Sequence, residues 1–183
     1  MRICWKAGSA QYNALCHKGL EDKGSAFVAW HKEERYLMKI SIASDHAGFE
    51  QKQALVDYLA KQGHDVIDRG PDTDDRVDYP DYAALVAHDV ADGLVERGVL
   101  VCGTGIGMAV AANKIDGVRA VNIITPQFAE LSREHNDANI ITLSGRFVDE
   151  ATNRAILDVF FATPFGEGRH TGRVEKIMAL ENK

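Results

Sequence analysis

Short apolar runs alternate with longer amphipathic stretches from Met38 to the end of the chain. The runs at residues 39–44, 64–68, 99–102, 118–124 and 140–143 predict strands, because apolar and β-branched residues concentrate there between Gly and polar positions. Apolar residues at helical spacing predict helices at residues 49–63, 80–98, 108–114, 126–134, 151–161 and 171–181. This alternation predicts an α/β fold: a doubly wound, Rossmann-like parallel sheet of five strands in a three-layer sandwich, with helices on both faces.

The helix at residues 80–98 has the clearest boundary signals. Pro80 favours its first turn, and Gly98 is expected to end it before the third strand. Its apolar positions lie on one side of the predicted helix, namely Leu85, Val86, Val90 and Leu94.

Residues 1–37 show no sustained period and carry scattered Gly, Lys and Trp. Because Met38 directly precedes the first predicted strand, we place a boundary there and expect one domain over residues 38–183. We expect the leader to be a disordered arm or a translation-start artefact.

Net charge, hydropathy and cysteine content indicate which kinds of binding partner and which compartment to expect. The formal charge of −6 argues against nucleic acid or an anionic membrane surface as the main partner, and no apolar run approaches the length of a membrane span. Cys4, Cys16 and Cys102 have neither the spacing of a zinc site nor the pairing of a disulfide framework. We therefore expect a cytoplasmic protein in a reducing compartment, with no metal and no cofactor.

The third strand carries the strongest chemical signal. It runs into Cys102 and then into residues 103–107, where Gly occupies every other position before a predicted helix. Backbone N–H groups at such a turn bind an anion and favour a thiolate over a thiol, and Gly lets the backbone approach a ligand closely. The loop therefore predicts a reactive sulfur beside an anion-binding backbone.

Other strands also end in polar residues. Asp45 and His46 follow the first strand, and Ser144 and Arg146 follow the fifth. Ligands of doubly wound sheets bind beyond the carboxyl ends of the strands, so these side chains are expected to converge with Cys102.

Two further clusters lie near helix ends. His135 and Asn136 close the fourth helix, and Arg169 and Arg173 precede or begin the last one. Two arginines four positions apart on one side of a turn or helix suit a phosphate dianion. An acidic protein with this pair suggests a small phosphorylated substrate.

Several strings occur together in the order of a known family. They are Ser44-Asp45-His46-Ala47-Gly48, Asp78-Tyr79-Pro80, Cys102-Gly103-Thr104-Gly105-Ile106-Gly107, Ala112-Asn113-Lys114, Ser132-Arg133-Glu134-His135-Asn136-Asp137 and Gly168-Arg169-His170. Over residues 38–183 the chain resembles ribose-5-phosphate isomerase of the B type, a family that includes the galactose-6-phosphate and allose-6-phosphate isomerases.

The resemblance implies which residues carry the chemistry. The catalytic base falls on Cys102, the acid that opens the furanose ring on His135, and an aid to proton transfer on Thr104. One branch of the family uses a glutamate that would fall at Met108, and a methionine cannot act as a base. The chain thus resembles the cysteine-base type.

The resemblance also implies the substrate contacts. Asp45 and Tyr79 match positions that handle the sugar ring and hydroxyls, whereas His46, Arg169 and Arg173 match phosphate binders. Backbone N–H groups of the glycine loop would stabilise the enediolate, namely those of Gly103, Gly105, Ile106 and Gly107. Asn136 and Arg146 match positions that make further contacts with the substrate. In this family the pocket forms between subunits, with the His135, Arg169 and Arg173 side coming from the neighbour. A homodimer or a dimer of dimers is implied.

Simpler structural roles stay open for single residues. Cys102 can be a small buried apolar side chain, and Asp45 and His46 can be the N-cap region of the first helix. His135 can be a solvent-facing residue at a helix end, and Arg146 can form a structural ion pair. Tyr79 can be a packing residue at a helix start.

Other functions compete with isomerisation. A nucleotide-binding module could use the glycine loop, but the loop lacks the third glycine of the dinucleotide fingerprint and the Gly-Lys-Ser/Thr of a P-loop. A cysteine phosphatase would need an arginine where Met108 stands. A non-catalytic relative would have lost the base, the acid or a phosphate residue, and all are retained. The hypothesis is interconversion of ribose 5-phosphate and ribulose 5-phosphate, with a six-carbon sugar phosphate as the alternative substrate.

Overall fold

The computed structural model describes residues 37–181 of the 183-residue chain. The strands are β1 (Lys39–Ser44), β2 (Asp65–Asp68), β3 (Arg97–Cys102), β4 (Ala120–Asn122) and β5 (Ile140–Ser144). The helices are α1 (Phe49–Lys61), α2 (Tyr79–Ala91), α3 (Ile106–Ala112), α4 (Pro126–Asn136), α5 (Glu150–Ala162) and α6 (Thr171–Met178), and a single 3₁₀ turn (Gly168–His170) precedes α6. The expectation for the leader concerns residues 1–37, of which all but Leu37 lie outside the described part.

The five strands form one parallel sheet in the order β2-β1-β3-β5-β4. The chain moves from β1 outward to β2 and then crosses to β3 on the other side, so the order switches between β1 and β3. In doubly wound sheets this switch point is where ligands bind, at the carboxyl ends of the strands. Those two ends carry Asp45 and Cys102.

Alternate side chains of the central strands fill two cores, one on each face of the sheet. Beneath α1, α4 and α5, the core includes Ile42, Leu59, Leu143, Ile156 and Phe160. Beneath α2 and α3, it includes Val86, Leu100, Cys102, Met108 and Ile140. Successive strand residues point to opposite faces, which directs Leu100 and Cys102 together toward α2 and α3. The predicted three-layer α/β fold is confirmed.

The end of α2 was predicted wrongly. The helix ends at Ala91, and Gly98 lies inside β3, where a Cβ would stand 2.7 Å from Cγ1 of Val86. Gly98 therefore lets α2 pack closely on the sheet. From the sequence alone, the same glycine was interpreted as the end of the helix. Leu85 and Leu94 are 46% and 45% exposed, so they do not belong to the buried side of the helix.

The other boundaries moved by a few residues. β4 spans three residues rather than the predicted 118–124, because only Ala120–Asn122 pair with β5 at the edge of the sheet. Within residues 37–181 no helix is long and apolar enough to cross a bilayer.

Candidate active site

The thiol of Cys102 sits at the carboxyl end of β3 under a tight loop. Its residue is 5% exposed, and its Sγ accepts a hydrogen bond from the Gly105 N–H at 3.1 Å. Gly105 has a φ of +80°, which turns the chain back over the sulfur before α3 begins at Ile106. The predicted arrangement of sulfur and glycine-loop N–H groups is therefore present.

The loop is held in place by Asn122, which the sequence analysis did not select. Its Nδ2 donates to the carbonyl oxygen of Thr104 at 3.2 Å and lies 3.2 Å from both the carbonyl oxygen and Oγ1 of Thr142. Thr104 turns its own Oγ1 back to accept from the Ile106 N–H at 3.2 Å. The available signal was a polar residue inside the mostly apolar run at residues 118–124.

Asp45 stabilises the turn that follows β1. Its Oδ1 accepts from the N–H groups of Ala47 at 2.9 Å and Gly48 at 3.0 Å, and the residue is 7% exposed. The N-cap of α1 is Gly48, with no side-chain capping bond, so Asp45 stabilises the turn before the helix rather than capping the helix as the sequence suggested. Its Oδ2 has no partner among the hydrogen bonds of residues 37–181. Within the same residues nothing hydrogen-bonds the buried Nδ1 of His46 next to it.

Tyr79 and Arg146 cover the glycine loop from two sides. A Cβ on Gly107 would stand 2.9 Å from the Tyr79 ring, and a Cβ on Gly103 would stand 3.5 Å from Cδ of Arg146. These contacts place both side chains against the loop that follows Cys102. In the described part of the chain no carboxylate pairs with Arg146, which removes the structural ion pair considered above.

A second group of predicted residues gathers at the end of α4. The helix stops because Asp137 adopts a left-handed conformation, with φ of 47° and ψ of 42°, and its carboxylate accepts from Arg119 and Arg133 at 2.8 Å each. The Gly166 N–H donates to the carbonyl oxygen of Glu134 at 2.9 Å, so the segment after α5 docks on this helix end. His135 and Asn136 precede the cap, and the docked segment leads to Arg169 and Arg173.

The imidazole rings of His135 and His170 stack in this second group. Their centroids are 4.3 Å apart with an interplanar angle of 7°, and Nε2 of His170 accepts from Nε of Arg169 at 3.2 Å. Burial lowers the pKa of His170, and the nearby positive groups of His135, Arg169 and Arg173 lower it further. The sequence analysis quoted His170 in a motif but assigned it no role.

The two groups lie at opposite edges of the sheet. Cys102 pairs with Ser144 at the carboxyl end of β5, whereas the end of α4 lies beside the chain entering β4, since Nδ2 of Asn139 donates to the Gly117 carbonyl oxygen at 2.8 Å. The strand β5 between these edges has five residues, a length of about 15 Å. One chain thus brings Asp45, His46, Tyr79, Arg146 and the Cys102 loop together, and it does not bring His135, Asn136, Arg169 and Arg173 to them.

Comparison with known proteins decides the family. A family model described as ribose/galactose isomerase matches residues 40–177. The chain belongs to the ribose/galactose isomerase family. All of the predicted site residues, from Asp45 to Arg173, lie within the matched range.

Members of this family align over nearly their whole length. Ribose-5-phosphate isomerase B of Escherichia coli K12 is 43% identical over 147 residues, which cover 80% of this chain and 99% of that protein. The structure of Clostridium thermocellum ribose-5-phosphate isomerase B has a TM-score of 0.78 at 44% identity and covers 79% of this chain and 98% of that one. A Mycoplasma genitalium ribose-5-phosphate isomerase B with bound ribulose 5-phosphate has a TM-score of 0.77 at 41% identity and covers 79% and 97%.

The family resemblance seen in the motifs is therefore confirmed, and the roles of single residues stay predictions. Across residues 37–181 no group of three or more His, Cys, Asp or Glu side chains is arranged to hold a metal ion.

Proposed function

We propose that the chain interconverts ribose 5-phosphate and ribulose 5-phosphate, a step of pentose phosphate metabolism. The observation that carries the proposal is the Cys102 thiol held 3.1 Å from the Gly105 N–H at the switch point of the sheet. Moving a proton between C2 and C1 of a sugar needs one group that removes and returns it and donors that stabilise the enediolate oxygen. A thiolate and a glycine loop supply both.

The reaction begins with ring opening. Ribose 5-phosphate rests mainly as a furanose, so His135 donates a proton to the ring oxygen O4 as the C1–O4 bond breaks. Solvent water accepts the O1 proton and returns a proton to His135, which leaves the aldehyde at C1 and the hydroxyl at C4. An imidazole titrates close to neutral pH and suits this exchange. Ribulose 5-phosphate has no five-membered ring to open, so this step concerns the aldose alone.

Proton transfer follows on the open chain. The Cys102 thiolate takes the proton from C2, the electron pair forms the C1–C2 double bond of the enediolate, and the same thiol returns the proton to C1. Backbone N–H groups of the glycine loop stabilise the negative oxygen, those of Gly103 and Gly107 directly. The N–H groups of Gly105 and Ile106, which donate to the Cys102 sulfur and to Thr104 Oγ1, reach the oxygen only once the substrate displaces those bonds. Thr104 assists proton movement between O1 and O2. All atoms and electrons stay within the sugar, so the reaction needs no cofactor.

The remaining polar residues hold the substrate. The Oδ2 of Asp45 and the Tyr79 hydroxyl bind the sugar hydroxyls. His46, whose Nδ1 has no hydrogen-bond partner within residues 37–181, binds the phosphate dianion together with Arg169 and Arg173. Asn136 and Arg146 add further contacts to the substrate.

We infer that the working enzyme is a homodimer or a dimer of dimers with shared sites. The support is that His135 and Cys102 occupy opposite edges of the sheet, so a complete site needs the amino edge of one copy beside the carboxyl edge of another. Exposed apolar side chains beside the loop also favour a covered surface, with Ile106, Val110 and Phe147 at 59%, 58% and 78% exposure.

The thiol base also supports a cytoplasmic location. Cys102 acts only as a free thiol or thiolate, and reducing compartments preserve that state. We assign the activity to residues 38–183 and expect removal of residues 1–37 to leave turnover unchanged. A truncated protein that folds but does not turn over would contradict this domain assignment.

The first experiment is turnover of ribose 5-phosphate beside allose 6-phosphate and galactose 6-phosphate, with a chelator present. Chelator-insensitive turnover of ribose 5-phosphate supports the proposal. Turnover of a six-carbon substrate alone keeps the mechanism and changes the substrate, and no turnover of any sugar contradicts the proposal in favour of a binding module.

Mixing two inactive variants tests the shared site. Cys102→Ala and His135→Asn dimers each lack one half of every site, whereas a heterodimer contains one site with both residues intact. Unfolding and refolding an equal mixture should recover about a quarter of the wild-type activity, since half the dimers are mixed and each has one working site of two. No recovery in a mixture shown to contain heterodimers would contradict sharing.

A further inference from the structure

His170 is a buried residue of the second group, at 8% exposure. It lies at the end of the 3₁₀ turn, where its N–H donates to the carbonyl oxygen of Glu167 at 3.0 Å. Its ring lies flat on His135 at 4.3 Å, whereas the His135 side chain is 36% exposed. One face of the exposed imidazole is therefore fixed by a buried one.

The hydrogen bond from Arg169 determines the tautomer of His170. A guanidinium nitrogen only donates, so Nε2 of His170 must present its lone pair, and the proton of the neutral ring resides on Nδ1. A ring that accepts at Nε2 cannot be protonated there while this bond persists. His135 is then the ring of the stacked pair that is free to carry the extra proton.

We propose that His170 is a positioning residue that joins the ring-opening acid to the phosphate clamp: its face orients the His135 imidazole and its Nε2 anchors the Arg169 guanidinium. The inference rests on the proposed function, since it assumes that His135 protonates the sugar and that Arg169 binds phosphate. It adds a buried residue that touches neither reacting atom nor phosphate. Phosphate bound by Arg169 is thereby linked to the orientation of the acid.

Two substitutions separate the two roles. His170→Gln keeps an acceptor near the position of Nε2 and removes the ring, so it should lower kcat for ribose 5-phosphate about 10- to 100-fold, with KM changed less than about 3-fold. His170→Phe keeps the stacked ring and removes the acceptor, so it should raise KM about 10-fold, with kcat nearly unchanged.

A second readout separates positioning from loss of structure. Exchange of the C1 hydrogen of ribulose 5-phosphate with solvent needs Cys102 and no ring opening. At saturating substrate, His170→Gln should leave this exchange within about 3-fold of wild type while turnover of ribose 5-phosphate falls. An equal fall in both rates would mean a structural role and would overturn the proposal, as would unchanged kinetics in both variants.

His64→Gln is the matched control. His64 also accepts an N–H, from Met38 at 3.2 Å to Nδ1, and also contacts an aromatic ring, that of Phe161 at 5.5 Å. It lies outside both halves of the site, so its substitution should change neither kcat nor KM. A His64→Gln enzyme with the same kinetic pattern as His170→Gln would show that the pattern is not specific to the stack.

A measurement on the wild-type protein covers the case in which the variants do not fold. The ¹⁵N shifts of the imidazole rings report tautomer and charge, and His170 should be neutral with its proton on Nδ1 at the pH of the kinetic assays. An Nε2–H tautomer for His170 would overturn the proposal. Absence of any wild-type turnover or C1 exchange would instead contradict the proposed function, whatever the tautomer.

Discussion

Gly105→Ala should disable the loop that faces Cys102. A φ of +80° costs a residue with a Cβ about 1–2 kcal/mol. The new methyl would also stand 2.0 Å from Nδ2 of Asn122 and 3.1 Å from the carbonyl oxygen of Leu143. The loop and the amide would have to separate by about 1 Å, a displacement that can cost an enzyme about a hundredfold in rate. That factor corresponds to about 2.7 kcal/mol of transition-state stabilisation.

The Asn122 side chain cannot relieve the clash without a cost. Swinging it aside breaks its bonds to Thr104 and Thr142, which hold the loop to the sheet. Loss of these contacts costs about 1–3 kcal/mol of stability. Gly105→Ala should therefore lower both kcat and the melting temperature, and adding Asn122→Ala should restore part of the melting temperature without restoring kcat.

Gly93→Ala separates backbone strain from the clash. Gly93 has a φ of +71°, but no atom of residues 37–181 lies within 4 Å of a Cβ built on it. This variant should lose about 1 kcal/mol of stability and keep its kcat. Steady-state kinetics with ribose 5-phosphate and thermal unfolding of both variants make the comparison. A Gly105→Ala enzyme with the kcat of Gly93→Ala would refute the reasoning about the loop.

Cys102→Ala should lower isomerisation at least about 10³-fold while calorimetry shows little change in affinity for ribulose 5-phosphate; near-normal turnover would mean that another group is the base. His135→Asn should lower ribose 5-phosphate turnover about 10²-fold and spare C1 exchange of ribulose 5-phosphate, and equal loss of both would contradict its role as ring-opening acid. Asp89→Asn should lower the free energy of unfolding by about 2 kcal/mol at pH 7, as measured by urea unfolding. Burial raises the pKa of Asp89, but hydrogen bonds from Arg69 and Ser41 lower it by more, so the folded protein favours the carboxylate. That stabilisation is present above the unfolded pKa of about 4 and is lost as pH falls through the lower folded pKa, so a difference that did not shrink as the pH was lowered below about 4 would contradict this account.

The pattern of apolar positions was enough to predict the fold because every central strand is buried on both faces. β1 and β3 each have five buried residues in succession. A continuous apolar run of this length is typical of an interior strand of a parallel sheet. The role of Gly98 was predicted wrongly because it depends on tertiary packing. Its effect depends on how closely Val86 approaches the strand, and spacing along the chain does not report that distance.

The candidate site was predictable where one motif carries both the residue and its support. Cys102 and the glycine that donates to its sulfur are three positions apart, so one string contains the whole arrangement. Asn122 and His170 were missed because their roles arise from partners elsewhere. Asn122 supports Thr104 from another strand, and His170 meets His135 only after the segment following α5 docks on α4.

The division of the site follows from the direction of the helices in a parallel sheet. Each connecting helix runs back from the carboxyl edge to the amino edge, so a residue at the end of α4 cannot share an edge with one at the end of β3. In the homodimer that we propose, a two-fold axis that brings the amino edge of one copy to the carboxyl edge of the other would complete two sites at once, because an isologous contact repeats every pairing. Residues at both edges would then serve one substrate without a longer chain, and catalysis would depend on association.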